Sequence, residues 1–355
     1  MKTIRRIART NFLIVLAAAV LFGGCGKSEA APPVAQEAAK QTPDQVFAVL
    51  LKKAKAGDAR AQSNLGLMYY DGLVVPKDTA KALEWFQKAA TQGYAEAQYS
   101  LGVMYANGLG VPKNAAKAVE WYQKAAAQGD AKTQFNLGAM YANGEGVPKN
   151  AAKAVEWYQK AAAQGQAEAQ FNLGARYANG EGVPKDTAKV LEWFQKAAAQ
   201  GHADAQYYLG TMYANGEGVP KNIAKALEWF QKAAAQGHAT AQFSLGAMYA
   251  YGLLGVPKDA AKAVEWYQKA AAKGYAAAQH NLGLMYADGL GVPKDMILAY
   301  AWFNIVAMGG GADALKGRDL IKSRLPGNEL AEAQRLSSNW KKGQILVRER
   351  AGKGR

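Results

Sequence analysis

Residues 93–128 read GYAEAQYSLGVMYANGLGVPKNAAKAVEWYQKAAAQ, and close copies of this stretch follow one another along most of the chain. The Leu-Gly pair in it returns every 36 residues, with one final step of 37. The extra residue lies within 251–255, between two predicted helices. A fixed period of this length indicates a solenoid of stacked structural repeats. The leucines of the pair are Leu65, Leu101, Leu137, Leu173, Leu209, Leu245 and Leu282.

Each copy carries the signals of two helices. In the quoted copy, apolar residues at 97, 101, 104 and 105 follow the three-and-four spacing of a helix face. Asn107 and Gly108 end this helix, because both residue types accept the left-handed backbone found at helix C-termini. Asn114 is a suitable N-cap for a second helix. The sequence therefore predicts one helical hairpin per repeat, whose members we name helix A and helix B.

Helix B carries a tryptophan followed by phenylalanine or tyrosine in every copy. Neighbouring residues on a helix point about 100° apart, so one ring is expected to fill its own hairpin and the other the seam to the next. Glu-Lys pairs spaced by four residues predict a solvated surface of ion pairs. The glycine of Leu-Gly lies mid-helix, which predicts an approach too close for a Cβ. The tryptophans are Trp85, Trp121, Trp157, Trp193, Trp229, Trp266 and Trp302.

The recurring pattern Ala-x-Ala-Gln-x-x-Leu-Gly-x-Met-Tyr, with Gly-Val-Pro-Lys-Asp and Trp-x-x-Lys-Ala-Ala after it, resembles the Sel-one-like repeat, a relative of the tetratricopeptide repeat. The resemblance covers about 57–310. It implies an all-α fold, a right-handed α/α superhelical solenoid of seven 36–37-residue helix–turn–helix repeats with terminal capping helices. It also implies a scaffold for other macromolecules, and bacterial members are often exported. Some cysteine-rich members are linked to β-lactam binding, but this chain has a single cysteine.

The N-terminus, residues 1–24, resembles a bacterial lipoprotein signal peptide. A basic start precedes an uncharged apolar run that is too short to span a membrane. The run ends at Cys25, which in such proteins is lipidated and becomes the first residue. Gly26 then favours the outer membrane, so the predicted location is periplasmic, with the lipid anchor as the membrane contact. The alternative is soluble export with cleavage after Ala30.

Composition and capping signals set the boundaries that follow. Residues 25–42 are expected to form a flexible tether, and the repeat solenoid to span 58–310. Thr42 and Gln45 flank a proline in the pattern of a capping box, which predicts an N-terminal capping helix over 43–57.

The C-terminal end also needs a cap. The last helix B keeps Trp302 but loses its polar Glu and Lys, so it must be covered. Two helices within 311–342 are the candidates, the second with Asn328 as its N-cap. The remainder, 343–355, is predicted to be a free basic tail, with weak contact to an anionic surface as the functional alternative.

Charge and composition exclude several classes of function. The net charge of +15 is concentrated at the two ends of the chain, and the repeats lack the basic stripe of a nucleic-acid-binding protein. One cysteine and three histidines provide few potential metal ligands. The sequence contains no motif of a hydrolase or of a nucleotide-binding loop. We therefore predict a protein that is not an enzyme and has no cofactor or metal.

Function is expected at positions that differ between otherwise similar copies. Arg176 replaces a methionine, and Tyr208 and Thr211 are unusual members of two further rows. By analogy with tetratricopeptide repeats, helix A lines the concave side, so the row before Leu-Gly offers donors and acceptors to an extended peptide. The predicted partner-binding residues are Arg176, Tyr208, Thr211, Asn64, Asn136, Asn172 and Asn281.

Three functions remain open from the sequence. The favoured one is a membrane-anchored periplasmic scaffold or adaptor that binds a protein partner through the solenoid surface. The second is a binding module for a cell-envelope polymer, peptidoglycan or exopolysaccharide, because equal repeats suit a repeating ligand. The third, a cell-wall or β-lactam hydrolase, rests on family analogy alone.

Overall fold

The computed structural model describes residues 42–348. The predicted signal peptide, Cys25, the tether up to residue 41 and the end of the tail, 349–355, lie outside this range. Within it, the chain forms seventeen α-helices, one 3-10 helix at Leu253–Gly255 and no β-strand. No helix in the described range is long and apolar enough to cross a bilayer. The helices are α1 Pro43–Lys55, α2 Ala59–Asp71, α3 Thr79–Thr91, α4 Ala95–Asn107, α5 Ala115–Ala127, α6 Ala131–Asn143, α7 Ala151–Ala163, α8 Ala167–Asn179, α9 Thr187–Ala199, α10 Ala203–Asn215, α11 Ile223–Ala235, α12 Ala239–Tyr251, α13 Ala260–Ala272, α14 Ala276–Asp288, α15 Met296–Met308, α16 Ala312–Lys322 and α17 Gly327–Asn339.

The chain divides into two compact units. Within residues 42–348, the first contains the residues up to Ala169 together with Glu181–Val183, and the second contains Gln170–Gly180 and the residues from Pro184 onward. Helices α2 to α15 alternate between type A, with even numbers, and type B, with odd numbers, as the sequence predicts.

Local signals fix both ends of these helices. Asn114 has an extended backbone and its side chain accepts a hydrogen bond from the backbone N–H of Lys117, which starts α5 as predicted. Helix α4 ends at Gly108, whose φ of 71° is the left-handed conformation that favours glycine. The same pair of signals bounds the other hairpins, so each A helix turns sharply into its B helix.

The mid-helix glycine is where each hairpin closes. A Cβ on Gly66 would lie 2.7 Å from the ring of Phe86, which follows Trp85 in helix α3. Equivalent rings stand over the equivalent glycines in the other six hairpins, so the predicted close approach is confirmed. The rings are those of Tyr122, Tyr158, Phe194, Phe230, Tyr267 and Phe303.

The tryptophans occupy the seam to the preceding hairpin rather than to the next. Trp85 packs against the cluster of α1 and α2, and Trp121 against that of α3 and α4. Of the seven, Trp302 is fully buried and the others are half-buried. The Nζ of Lys88 stands 4.3 Å from the ring centre of Trp85, and the corresponding lysines stand at 4.1–4.2 Å.

This lysine position explains a difference from the predicted surface of ion pairs. Of the six Glu-Lys pairs on helix B, two are within ion-pair distance in the described chain, Glu192–Lys196 and Glu228–Lys232, both at 2.6 Å. In all six cases the lysine ammonium lies over the tryptophan ring. An exposed ion pair with the glutamate contributes little free energy, so it does not draw the lysine away from the ring. The lysines therefore cover the half-buried tryptophans.

A buried glutamine in each A helix connects successive hairpins. Gln98 is 5 % exposed, and its Nε2 donates to the carbonyl of Ala90 in the preceding helix B at 3.2 Å. Its Oε1 accepts from Nε2 of Gln128, the C-cap of α5, at 2.8 Å. Gln128 also donates to the carbonyl of Gly93. We call this repeated arrangement the glutamine ladder; the sequence shows the residues but not their partners.

The N-terminal capping helix α1 starts as predicted. The backbone N–H of Gln45 donates to the hydroxyl of Thr42 at 3.3 Å, and the backbone N–H of Thr42 donates to Oε1 of Gln45 at 2.8 Å. Leu50 of α1 is buried against α2, so α1 covers the apolar face of the first hairpin.

At the other end, α16 and α17 cover α15. The ring of Trp302 meets that of Trp340 edge-on at 6.2 Å, and Nδ2 of Asn304 donates to the hydroxyl of Ser337 at 2.8 Å. One detail of the prediction is wrong: α17 begins at Gly327, so Asn328 lies inside its first turn. The carbonyl of Pro326 already closes that turn by accepting from the N–H of Leu330 at 2.9 Å.

The predicted free tail begins too early. Leu346 is 7 % exposed and belongs to the apolar core of the last hairpin. Arg348 makes two hydrogen bonds with the carboxylate of Glu332, at 2.9 and 3.1 Å, and lies 3.6 Å from a carboxylate oxygen of Asp295. Leu346 and Arg348 therefore hold this segment against the preceding elements, whereas Ile345 and Val347 are exposed.

Candidate partner-binding site

The predicted partner-binding residues lie on A helices, next to the grooves between successive A helices. We define an A-helix groove as the space between two such helices, with the ring that follows the tryptophan of helix B as its floor. Between α2 and α4 the groove contains a cavity of about 160 Å³, lined by Leu67, Phe86 and Ser100 among others. Between α12 and α14 the cavity is about 480 Å³ and is lined by Tyr267, Asn281 and their neighbours.

Two asparagines of the predicted row lie beside hydroxyl groups on the groove floor. Asn136 interacts with the hydroxyl of Tyr122, and Asn281 lies beside the hydroxyl of Tyr267. Burial raises the pKa of both phenols, that of Tyr267 to about 12, and the asparagine side chain opposes the rise. Both amides therefore face the floor phenols, and their role in partner binding stays a prediction.

A spacing of fourteen residues reveals this pairing in the sequence itself. Where the floor is tyrosine, the residue fourteen positions later is asparagine, and where the floor is phenylalanine, it is serine or tyrosine. A buried hydroxyl favours an amide partner, whereas a buried phenylalanine needs none. The pairs are Tyr122/Asn136, Tyr158/Asn172, Tyr267/Asn281, Phe86/Ser100, Phe194/Tyr208 and Phe230/Ser244.

Asn64 and Asn172 complete the predicted row. Both side chains are half-buried on their A helices, α2 and α8. Leu50 of α1 stands fourteen residues before Asn64, so this amide has no phenol at that spacing. The fourteen-residue pairing therefore does not extend to Asn64.

Tyr208 fills its groove. Its ring is 47 % exposed and lies against the floor ring of Phe194 with 5.7 Å between centres. It also contacts Phe171 of α8 at 5.9 Å and its neighbour Tyr207 at 5.5 Å. The groove between α8 and α10 thus presents an aromatic surface.

Thr211 and Arg176 lie on the two helices that carry this aromatic surface. Thr211 is half-buried one turn after Tyr208, and its hydroxyl donates to the carbonyl of Tyr207 at 3.2 Å. Its oxygen therefore remains available as an acceptor, while its proton is used on its own helix. Arg176 is half-buried on α8, four residues after Asn172, which places the two on one face. The structure thus brings four of the seven predicted residues to one pair of helices.

The histidines serve as helix caps and packing residues. Nδ1 of His202 accepts from the backbone N–H of Ala205 at 3.3 Å, and the His202 ring stacks on Phe171 at 4.6 Å. His238 caps α12 in the same way. Within residues 42–348, no group of three or more His, Cys, Asp or Glu residues is arranged to hold a metal ion.

Hairpins of one pattern, with variable grooves over a fixed buried framework, define a helical-repeat protein of the interaction type. The family model of the Sel1 repeat matches seven successive segments: 59–94, 95–130, 131–166, 167–202, 203–238, 239–275 and 276–310. The chain therefore belongs to the Sel1 repeat family. The predicted all-α solenoid of helix–turn–helix repeats is confirmed.

The chain is also similar to solved structures, the first of which agrees with this assignment. The chain is 34 % identical to a Sel1 repeat protein from Oxalobacter formigenes, with a TM-score of 0.67 over 89 % of this chain and 88 % of that one. It is 32 % identical to a protective antigen of uropathogenic Escherichia coli strains, which displays the same repeat fold, with a TM-score of 0.45 over 92 % and 83 %. A comparison with curated proteins gives no significant match. Sel1 repeat proteins generally mediate protein–protein interactions and are typically non-enzymatic scaffolds.

Proposed function

We propose that this protein is a non-enzymatic scaffold or adaptor of the cell envelope, anchored to the membrane through Cys25, that binds a protein partner through its A-helix grooves. One observation carries the proposal: Arg176, Tyr208 and Thr211, which depart from the residues of other copies, lie on the two A helices that border one groove, above a buried framework that every copy shares. A framework that is constant in all hairpins serves stability. Departures from the repeat pattern at the groove positions serve recognition.

The groove between α8 and α10 has the chemistry of a peptide-binding surface. The Tyr208 ring offers an apolar face of limited flexibility, which suits a side chain or a peptide plane. The Thr211 oxygen can accept a backbone N–H, and the Arg176 guanidinium supplies a cation. An extended segment with an acidic group meets these three features at once.

Photo-cross-linking in intact cells tests the partner-binding part. A photoreactive amino acid at position 208 is irradiated, and the attached material is identified by mass spectrometry. The expected result is a discrete protein adduct whose yield falls when Arg176→Met restores the methionine of the other copies. A glycan adduct, or no adduct from a folded and exported protein, contradicts the proposal and favours a polymer-binding module.

The anchoring part has its own test. Cells are fed an alkyne-bearing fatty acid and the protein is probed for the label after purification. We expect labelling of the natural chain and none of the Cys25→Ser variant. Export without label would replace the anchor by soluble secretion, with cleavage after Ala30, and would leave the partner-binding part intact.

A further inference from the structure

The sixth repeat differs from the others at the end of its A helix. The helix α12 ends in Tyr251, where four other copies have asparagine, and the inserted residue follows it. Large apolar side chains are exposed around this point: Tyr251 is 58 % exposed, Leu284 41 % and Leu290 52 %. The inserted turn contains Leu254 with a φ of 56°, a strained backbone for this residue type.

These side chains surround the cavity of about 480 Å³ between α12 and α14. This volume lies in the range of about 300–1,000 Å³ that is typical of ligand pockets. The floor is rigid: a Cβ on Gly246 would lie 2.5 Å from the Tyr267 ring, and Phe243 packs against that ring at 5.7 Å. The pocket therefore exists before any ligand arrives.

The floor also carries an unused polar atom. Tyr267 is 1 % exposed, and within the described chain its hydroxyl oxygen has no hydrogen-bond partner. The Asn281 side chain lies beside this hydroxyl without the geometry of a hydrogen bond. A buried hydroxyl without a partner is unfavourable, and a ligand that supplies the missing hydrogen bond removes the penalty.

From this pocket we infer that the groove between α12 and α14 binds an extended peptide segment of a protein partner through one apolar side chain, whose flanking peptide group bonds to the Tyr267 hydroxyl and the Asn281 amide. The amide and the hydroxyl together present donors and acceptors, which match the N–H and C=O of a peptide group. Tyr251, Leu284 and Leu290 form the walls around the apolar side chain. The inference rests on the proposed function in taking the partner to be a protein.

Charge at the rim favours a neutral segment. Lys258 and Asp288 line the same cavity with opposite signs. An anionic polymer gains from the lysine but is repelled by the aspartate, whereas an uncharged apolar residue avoids both effects. The walls and the rim thus select an apolar side chain over an acidic one.

Blocked tripeptides test the inference on the purified full chain. The probes are N-acetyl-Gly-X-Gly-amide, with X as leucine, phenylalanine, alanine or aspartate, and binding is followed by saturation-transfer NMR. We expect leucine and phenylalanine to bind most tightly and aspartate most weakly. The variant Tyr251→Asn/Leu284→Ala, which installs residues of other copies, should weaken leucine-probe binding about tenfold or more.

The hydroxyl has a matched control. Tyr267→Phe should weaken the leucine probe about fivefold, the effect of one lost hydrogen bond. Tyr122→Phe makes the same chemical change in the groove between α4 and α6 and should leave binding unchanged. Phenylalanine occupies the floor in other copies, so both variants are expected to fold, and circular dichroism checks this.

Several outcomes would overturn the inference: no probe binding at millimolar concentration, equal binding of the aspartate probe, or equal losses from Tyr267→Phe and Tyr122→Phe. These results are distinct from a failure of the proposed function. A protein adduct from position 208 without tripeptide binding would keep the scaffold and remove this pocket. Tripeptide binding without any protein adduct in cells would keep this pocket and remove the scaffold function.

Discussion

Two grooves in the same unit show how one backbone produces two different surfaces. Between α8 and α10, Phe194 forms the floor and the Tyr208 ring lies over it. Between α12 and α14, the floor is Tyr267 and its partner at the same spacing is Asn281. The first groove is filled by an aromatic ring, and the second is an open cavity with a polar atom at its base.

The difference arises from two positions that are fourteen residues apart. Both floor rings rest on a mid-helix glycine, Gly174 under Phe194 and Gly246 under Tyr267. The framework is therefore the same, and the floor ring with its partner determines what the groove offers. Exchanging these residues should exchange the properties of the grooves, and the following experiments use that exchange.

The largest expected effect is the removal of a floor. Phe194→Ala should lower the free energy of unfolding by about 3–5 kcal/mol, because it empties the space between α8, α9 and α10 and removes the support of Tyr208. Chemical denaturation followed by tryptophan fluorescence measures the change. Tyr208→Ala is the matched control, since a half-exposed ring should contribute much less. A loss below about 1 kcal/mol for Phe194→Ala would show that the floor is not structural.

A double-mutant cycle tests the pairing itself. Phe194→Tyr places a hydroxyl beneath the Tyr208 ring without an amide partner and should destabilise the protein by about 1–3 kcal/mol. Adding Tyr208→Asn restores the pair seen at Tyr122 and Asn136. We expect the double variant to be more stable than the sum of the single changes by at least about 0.5 kcal/mol. Additive effects would mean that the fourteen-residue pattern has no energetic basis.

The reverse exchange tests the difference in ligand binding between the two grooves. Tyr267→Phe combined with Asn281→Tyr should fill the open groove with a ring, as in the groove between α8 and α10. The leucine tripeptide should then lose binding while the thermal midpoint changes little. Retained binding would place the ligand elsewhere.

A smaller effect is expected at the glutamine ladder, which also changes in the sixth repeat. Lys273 stands at the C-cap of α13, where five other hairpins carry glutamine, and Oε1 of the buried Gln242 has no partner in the described chain. Lys273→Gln should supply the donor and stabilise the protein by about 1 kcal/mol. The mirror variant Gln236→Lys should break the 2.7 Å bond to Gln206 and destabilise it. An unchanged denaturation midpoint in both variants would show that the glutamine ladder does not contribute to stability.

The smallest effect is a dependence on alkaline pH. The pKa of Tyr267 is raised from 10.0 to about 12 because the phenol is buried. The folded state therefore holds this proton more tightly than the unfolded state, so the contribution to stability is complete below pH 10 and is lost as the pH rises towards 12. Stability measured across this range should fall less steeply in Tyr267→Phe. Identical slopes would indicate that the phenol titrates normally.

Local features could be predicted from the sequence because their partners are near in the chain. The period, the hairpins, the Asn114 cap, the Thr42 capping box and the approach at Leu-Gly each depend on a few neighbouring residues. Repetition strengthens such signals, because every copy reports the same geometry.

The features that were missed depend on partners in another hairpin or on competition between partners. Lys88 has both Glu84 and the Trp85 ring within reach, and sequence spacing does not say which prevails. The partner of Arg348 lies sixteen residues earlier, on α17. For the site, the row of varying residues could be found, but the direction of Asn281 towards a hydroxyl required the packing of successive hairpins.

Cross-linking at three positions in intact cells tests the central claim most directly. A photoreactive residue is placed at Tyr208, at Leu284 and, as a control, at the exposed Glu120 on helix B of the second repeat. If the A-helix grooves bind a protein partner, 208 and 284 should yield discrete protein adducts and 120 should not. Adducts from position 120 alone, or equal adducts from all three, would contradict the account and assign recognition to the B helices or to no defined surface.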